Sequence, residues 1–207
     1  MGGRGARSGM RNSRRNRNIM SLSVFQRLHS PGTPATPMEA IKRVNPNYYR
    51  DRVWQINCQR CVWAYELQRR GFDVEAKPHL QGYDPYPQGQ WQDVIRHFDS
   101  QTVILHARNA ADAVREMDRQ MAAWGEGSRG IVRVAWANSN SGHVFNVERE
   151  NGKTVYYEAQ VGYKPNIEER MKKVDYRYSV TLTRSDNAVF TELVDDVAEF
   201  SRKKRRR

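Results

Sequence analysis

Residues 142–160 read GHVFNVERENGKTVYYEAQ, two runs rich in β-branched and aromatic residues on either side of Asn151-Gly152. Asn-Gly between such runs is the strongest short-range hairpin signal. With Asn151 and Gly152 as the turn, Glu150 pairs with Lys153. Counting outward then sets Val147 opposite Tyr156, Phe145 opposite Glu158 and His143 opposite Gln160. Side chains alternate faces along a strand, so His143, Phe145 and Val147 share a face with Tyr156, Glu158 and Gln160. Glu158 lies diagonally across from His143, about 7–8 Å away between backbones and within reach of a long carboxylate. Either Glu158 or Gln160 can therefore orient the imidazole, and Gly142 lets another backbone approach that edge.

Outward from the hairpin, Gly130–Trp136 reads as a preceding strand and Val174–Thr183 as a following one. Asp186 or Asn187 is expected to cap a last helix whose inward stripe is Val189, Phe190, Leu193, Val194, Val197 and Phe200. Upstream, Asn109 caps a helix with Ala110, Ala113, Val114, Met117, Met121 and Trp124 on its apolar face and Gly125 at its end. Trp91–Phe98 reads as a short helix, Pro78–Gly89 as a turn-rich loop and Phe72–Ala76 as a short strand. The most strongly marked element runs from Cys58 to Arg70, with Asn57 as the N-cap residue and Gly71 as its left-handed stop. Helices first and then mostly antiparallel strands make the fold class α+β.

A cysteine in the first turn of a helix meets unpaired backbone N–H groups and the positive end of the dipole, which favour thiolate over thiol. A histidine on a later strand and an acid or amide on the next complete the parts of a thiol hydrolase site. There the base takes the thiol proton and the third group fixes the base's tautomer. Cysteine then histidine then amide or acid is also the chain order of papain-like enzymes.

At these residues the sequence resembles the papain-fold toxin family, also described as the glutamine-deaminase or Tox-PL type, found in bacterial polymorphic toxins and phage-associated proteins. The resemblance rests on Asn57-Cys58-Gln59-Arg60-Cys61-Val62 with the helix to Gly71, on Gly142–Val147, on Asn151-Gly152 and on Tyr157-Glu158-Ala159-Gln160-Val161-Gly162. It covers about residues 45–185. It implies a papain-like cysteine hydrolase fold, with N-terminal helices packed on a mostly antiparallel sheet. It further implies Cys58 as nucleophile, His143 as general base and then acid, and the acidic position before the Gln as orienting group. That position is Glu158 here, where Asp is expected, and Gln160 matches the family's amide position. For the oxyanion hole the Cys58 backbone N–H is a natural donor, and Gln55 is the only upstream side-chain candidate. The implied reaction is deamidation of a protein glutamine through a thioester, with protease or isopeptidase chemistry as the alternative use of the same site.

Composition bounds the other readings. The net charge of +12 is concentrated at the ends: residues 1–50 carry ten Lys/Arg against one acid, residues 202–207 six basics, and residues 51–201 carry 19 basics against 22 acids. Residues 1–44 read as a basic disordered arm with a Pro-rich linker at Ser30–Pro37, residues 45–201 as the folded domain and 202–207 as a basic tail. Arms of this kind imply salt-sensitive, non-specific contact with nucleic acid through residues 1–30 and 202–207. The second functional class is accordingly a phage or mobile-element structural protein with an idle site. No apolar run is long enough to span a membrane and no secretory signal is evident, so the expected location is cytoplasmic or virion-associated. No cofactor or metal is expected. Cys58 and Cys61 lack zinc partners at ligand spacing among His79, His97 and His106, and the redox reading of CxxC lacks a thioredoxin-like βα context. Cys61 reads as a core neighbour of Cys58, and the five tryptophans read as core.

Overall fold

The computed structural model describes residues 31–80, 91–96, 98–191 and 193–201. The basic ends at 1–30 and 202–207, with their expected nucleic-acid contact, and most of the expected Pro78–Gly89 loop lie outside the described residues.

The chain opens with α1 (Pro37–Arg43) and then α2 (Cys58–Arg69). The strand β1 (Val74–Ala76), a 3-10 turn at Trp91–Val94, a short helix α3 (Phe98–Gln101) and β2 (Thr102–Leu105) follow. Next come α4 (Ala110–Trp124), β3 (Arg129–Ala135), β4 (Gly142–Glu150) and β5 (Lys153–Tyr157). The chain ends in α5 (Ile167–Met171), β6 (Val180–Arg184), α6 (Val194–Val197) and β7 (Ala198–Phe200). Five strands form an antiparallel sheet in the order β2-β6-β3-β4-β5, and β1 pairs with β7 beside it. The class is α+β, as the element order predicts.

The sheet separates two cores. On one side Ile131, Val144 and Tyr157 pack with the buried residues of α2, among them Cys61, Trp63 and Leu67. On the other, Val132, Val134, Phe145 and Val147 pack on Ala113, Met117 and Met121 of α4. Alternation along β3 and β4 supplies both faces. Helix α4 is capped as its sequence predicts, Asn109 Oδ1 accepting from the Asp112 N–H at 2.9 Å. Helix α2 ends in a Schellman turn, in which Phe72 N–H donates to Leu67 O and Gly71 N–H to Gln68 O at 3.0 Å each. Gly71 has φ +92°, and a Cβ there would overlap the Gly32 carbonyl, so glycine is required twice over.

That contact moves the domain boundary. Residues 31–44 were expected in the arm and linker, yet Ala35 N–H donates to Gln68 O at 3.0 Å and Gly32 N–H to Gly71 O at 2.8 Å. Ala40, Ile41 and Val44 are buried in the α2 core. The packed body thus extends N-terminally of residue 45, because these short apolar residues cover one side of α2.

Thr102–Leu105 forms an unforeseen strand on β6, and two further expectations are corrected. Val174–Thr183 is not one strand: Val174 makes a single bridge to Trp136, and only Val180–Arg184 pairs in β6. The last helix is one turn, Val194–Val197, because Phe190 bridges Ile95 and Ala198–Phe200 pairs with β1. Backbone pairing with distant partners outweighs a helical spacing of apolar residues there.

Helix α2 is enclosed, so its polar residues need partners inside. The Glu66 carboxylate, with no side-chain exposure, accepts from Arg129 at 2.7 and 2.9 Å, from Arg70 at 2.7 Å and from Ser185 Oγ at 3.0 Å. Glu148 on β4 accepts from Tyr65 at 2.6 Å and from Arg69 at 2.7 and 2.9 Å. These pairs fix the rotation of α2 against the sheet. Glu66→Ala should destabilise the fold by about 3 kcal/mol, since it strands Arg129 and Ser185 among buried groups. Urea unfolding checks this, and a loss under about 1 kcal/mol would mean the cluster is not a clamp.

Candidate active site

Cys58 opens α2 and is half-buried. His143 is the second residue of β4, and its predecessor Gly142 lies where a Cβ would come within 2.6 Å of the Val134 carbonyl oxygen. Glycine there keeps β3 and β4 paired up to the histidine, the close approach its sequence position suggests.

The hairpin register is as counted from Glu150↔Lys153 to Asn146↔Tyr157. Beyond Tyr157 it changes. Glu158 forms a bridge with Tyr163, and Gly162 N–H closes the turn onto Glu158 O at 2.8 Å. Phe145↔Glu158 and His143↔Gln160 are therefore not strand pairs, and the expected placement of Gln160 across from His143 is corrected.

Of the sequence-predicted residues, the structure brings Cys58, His143 and Glu158 together. His143 Nε2 lies 2.8 Å from Glu158 Oε2, and the Cys58 side chain acts on the same imidazole. Gln160 stands one contact away. Its N–H donates to Glu158 Oε1 at 3.3 Å, its Nε2 to Asn57 Oδ1 at 3.4 Å, and its carbonyl accepts from Asn45 Nδ2 at 2.9 Å. It holds the turn that carries Glu158. Gln55 is exposed at the end of the 3-10 turn Arg52–Trp54, its backbone N–H donating to Arg52 O. The structure places its side chain in no hydrogen bond with the three grouped residues.

Asn57 departs from its expected part as a cap. Its side chain makes no capping bond and is buried below Cys58. Its Oδ1 accepts from Cys61 Sγ at 3.2 Å and from Asn45 Nδ2 at 3.2 Å, while its Nδ2 donates to Lys77 O at 3.1 Å. The Asn45-Asn57-Gln160 cluster thereby ties the start of α2 to the turn after β5. Cys61 is a free, buried thiol, and burial, its largest influence, pushes its pKa up well above the ordinary range. It is the core neighbour that its helical position predicts.

Trp136, read from sequence as core but only half-buried, and Arg170, which the sequence did not flag, complete the surroundings. Trp136 stacks on His143, with ring centroids 5.8 Å apart. Arg170 of α5 lies with Nη1 2.6 Å from Glu158 Oε2. Trp136, Tyr163 and Arg170 also line a cavity of about 710 Å³ together with Glu169, Lys172 and Lys173, whereas none of Cys58, His143 and Glu158 lines it. Among the described residues no group of three or more His, Cys, Asp or Glu is arranged to hold a metal, and no helix is long and apolar enough to cross a membrane.

Burial, the largest influence on His143, lowers its pKa, but the Glu158 charge, the interaction with the Cys58 side chain and the Glu158 hydrogen bond outweigh it and raise the pKa from 6.5 to about 9. Burial likewise pushes Glu158 up, while His143, Arg170 and the Gln160 N–H hold it below the usual 4.5. The sign for stability follows: a raised histidine contributes fully below pH 6.5, and that contribution is lost as pH rises from 6.5 through about 9. In a histidine-resolved NMR titration His143 should turn near pH 9, and in Glu158→Gln its midpoint should fall toward 6.5. An unchanged midpoint would remove the carboxylate as the cause.

No curated protein and no solved structure matches this chain. A comparison with known protein families matches residues 56–163 to papain fold toxin 1, glutamine deamidase. The matched stretch runs from two residues before Cys58 to the Tyr163 that bridges Glu158, and so encloses the three grouped side chains. It is just over half of the 207 residues, and the chain belongs to the papain-fold toxin 1, glutamine deamidase, family.

Proposed function

We propose that the protein converts a glutamine side chain of a protein substrate to glutamate, with Cys58 as nucleophile, His143 as acid and base, and Glu158 as the group that orients His143. The observation that carries this reading is the single imidazole that contacts the Glu158 carboxylate at 2.8 Å and is acted on by the Cys58 side chain. It supplies the proton acceptor, the nucleophile and the orienting charge of a thiol amidohydrolase in one contact chain.

In the first half-reaction Cys58 Sγ attacks the carboxamide carbon, and the oxyanion is stabilised by the Cys58 backbone N–H at the start of α2. The C–N bond breaks as the His143 imidazolium protonates the leaving nitrogen, giving a thioester and ammonia. In the second, His143 takes a proton from water, the hydroxide attacks the thioester and glutamate leaves as the C–S bond breaks. No co-reactant besides water is needed.

Incubated with glutamine-containing proteins, the wild-type chain should release ammonia and leave a mass gain of about 1 Da per converted side chain. Cys58→Ala and His143→Ala should each lower the rate by about 10³-fold or more. Backbone cleavage without ammonia would favour the protease reading. Activity that survives Cys58→Ala would remove the thiol mechanism.

A further inference from the structure

Arg170 does more than border the cavity. Its side chain is 14% exposed although it stands on a one-turn helix at the surface. Nη1 lies 2.6 Å from Glu158 Oε2, the oxygen that also meets His143 Nε2, and Nη2 donates to Tyr163 Oη at 2.8 Å. The guanidinium carbon sits 5.5 Å from the Phe145 ring and 6.0 Å from those of Trp136 and Tyr163. Trp136 and Phe145 in turn stack on either side of the His143 ring. Imidazole and guanidinium therefore share two aromatic neighbours and one carboxylate oxygen.

A glutamate has one more rotatable bond than an aspartate, and one that is 1% exposed at its side chain turns its oxygens toward whatever donors hold it. Gln160 N–H holds Oε1 and Arg170 holds Oε2. We infer that Arg170, anchored by Tyr163 and the aromatic rings, is a positioning residue for the reaction. It fixes the plane of the Glu158 carboxylate so that Oε2 faces His143 and the imidazole faces Cys58. The inference rests on the reading of Cys58 and His143 as the reacting pair. The titratable and charged groups that bear on the carboxylate and imidazole are Cys58 and Cys61 of α2, Tyr48 after α1, Tyr163 of the turn after β5 and Arg170 of α5. Only Arg170 brings a permanent positive charge to the carboxylate among these.

The test follows iodoacetamide alkylation of Cys58 by peptide mass spectrometry at about pH 6, where an isolated thiol is nearly unreactive. It is paired with the NMR midpoint of His143, in wild type, Arg170→Met, Arg170→Lys and Tyr163→Phe. Arg170→Met is expected to slow alkylation by about tenfold or more and to lower the midpoint by about one unit. Arg170→Lys, which keeps one donor to Oε2, should recover part of both, and Tyr163→Phe should shift both in the Arg170→Met direction by less. Variants that lose only thermal stability, with rate and midpoint unchanged, would make Arg170 structural and overturn the inference. A midpoint that rises in Arg170→Met would make it a charge that opposes the imidazolium, and would overturn the positioning role equally. A wild type without fast alkylation at pH 6 defeats the underlying reading and the inference with it, whereas failure of Arg170 alone leaves that reading standing.

Discussion

A helix buried on every side must find partners for its charged groups, and that constraint on α2 organises the molecule. From Arg60 to Gln68 each of its residues is buried. Glu66, Gln68 and the facing Glu148 are consequently met by Arg129, Arg70, Ser185, the Val74 carbonyl, Tyr65 and Arg69. Apolar packing alone allows a helix to slide or rotate by small amounts, but bidentate Arg-carboxylate pairs do not. With α2 fixed to β3 and β4, its first residue is fixed too, and Cys58 arrives beside the start of β4. The strap at 31–36 and the Schellman turn close the far end of the same helix.

The acid-base site is a second case of the same rule. Glu158 is brought out of water by the turn that Gly162 closes, and a buried carboxylate stays ionised only if charges and donors hold it. His143, Arg170 and the Gln160 N–H do so. The carboxylate in turn keeps His143 protonated well into the alkaline range. Protein stability and site electrostatics are thus linked through one ion pair, whose two members titrate as a unit.

How much of this could be read from residues alone differs by element. Asn151-Gly152 fixed the register through Tyr157 because turn chemistry and a period of two act locally. The register was lost at Glu158, where a second turn, stabilised by its own Tyr163 bridge, interrupts the strand. Cys58, His143 and Glu158 were legible as a group, the last because a long carboxylate tolerates an inexact position. Gln160 was misplaced by the same turn, and Asn57 was read as a cap when its amide is committed to Asn45 and Cys61. Arg170 left no signal, since α5 is five residues long and its contacts are with residues 7 to 34 positions away. The helix expected over 189–200 failed for the opposite reason: its apolar spacing was genuine, and β1 claimed the strand-forming end.

Cys58 and His143 form one chemical unit while Cys61, three residues along the same helix, does not. Alkylation rates for the two cysteines, resolved by peptide mass and compared between wild type and His143→Ala at neutral pH, test it most directly. Cys58 should react far faster than Cys61 in the wild type and lose that advantage in His143→Ala. Equal, slow labelling of both thiols, or a Cys58 rate indifferent to His143, would contradict it.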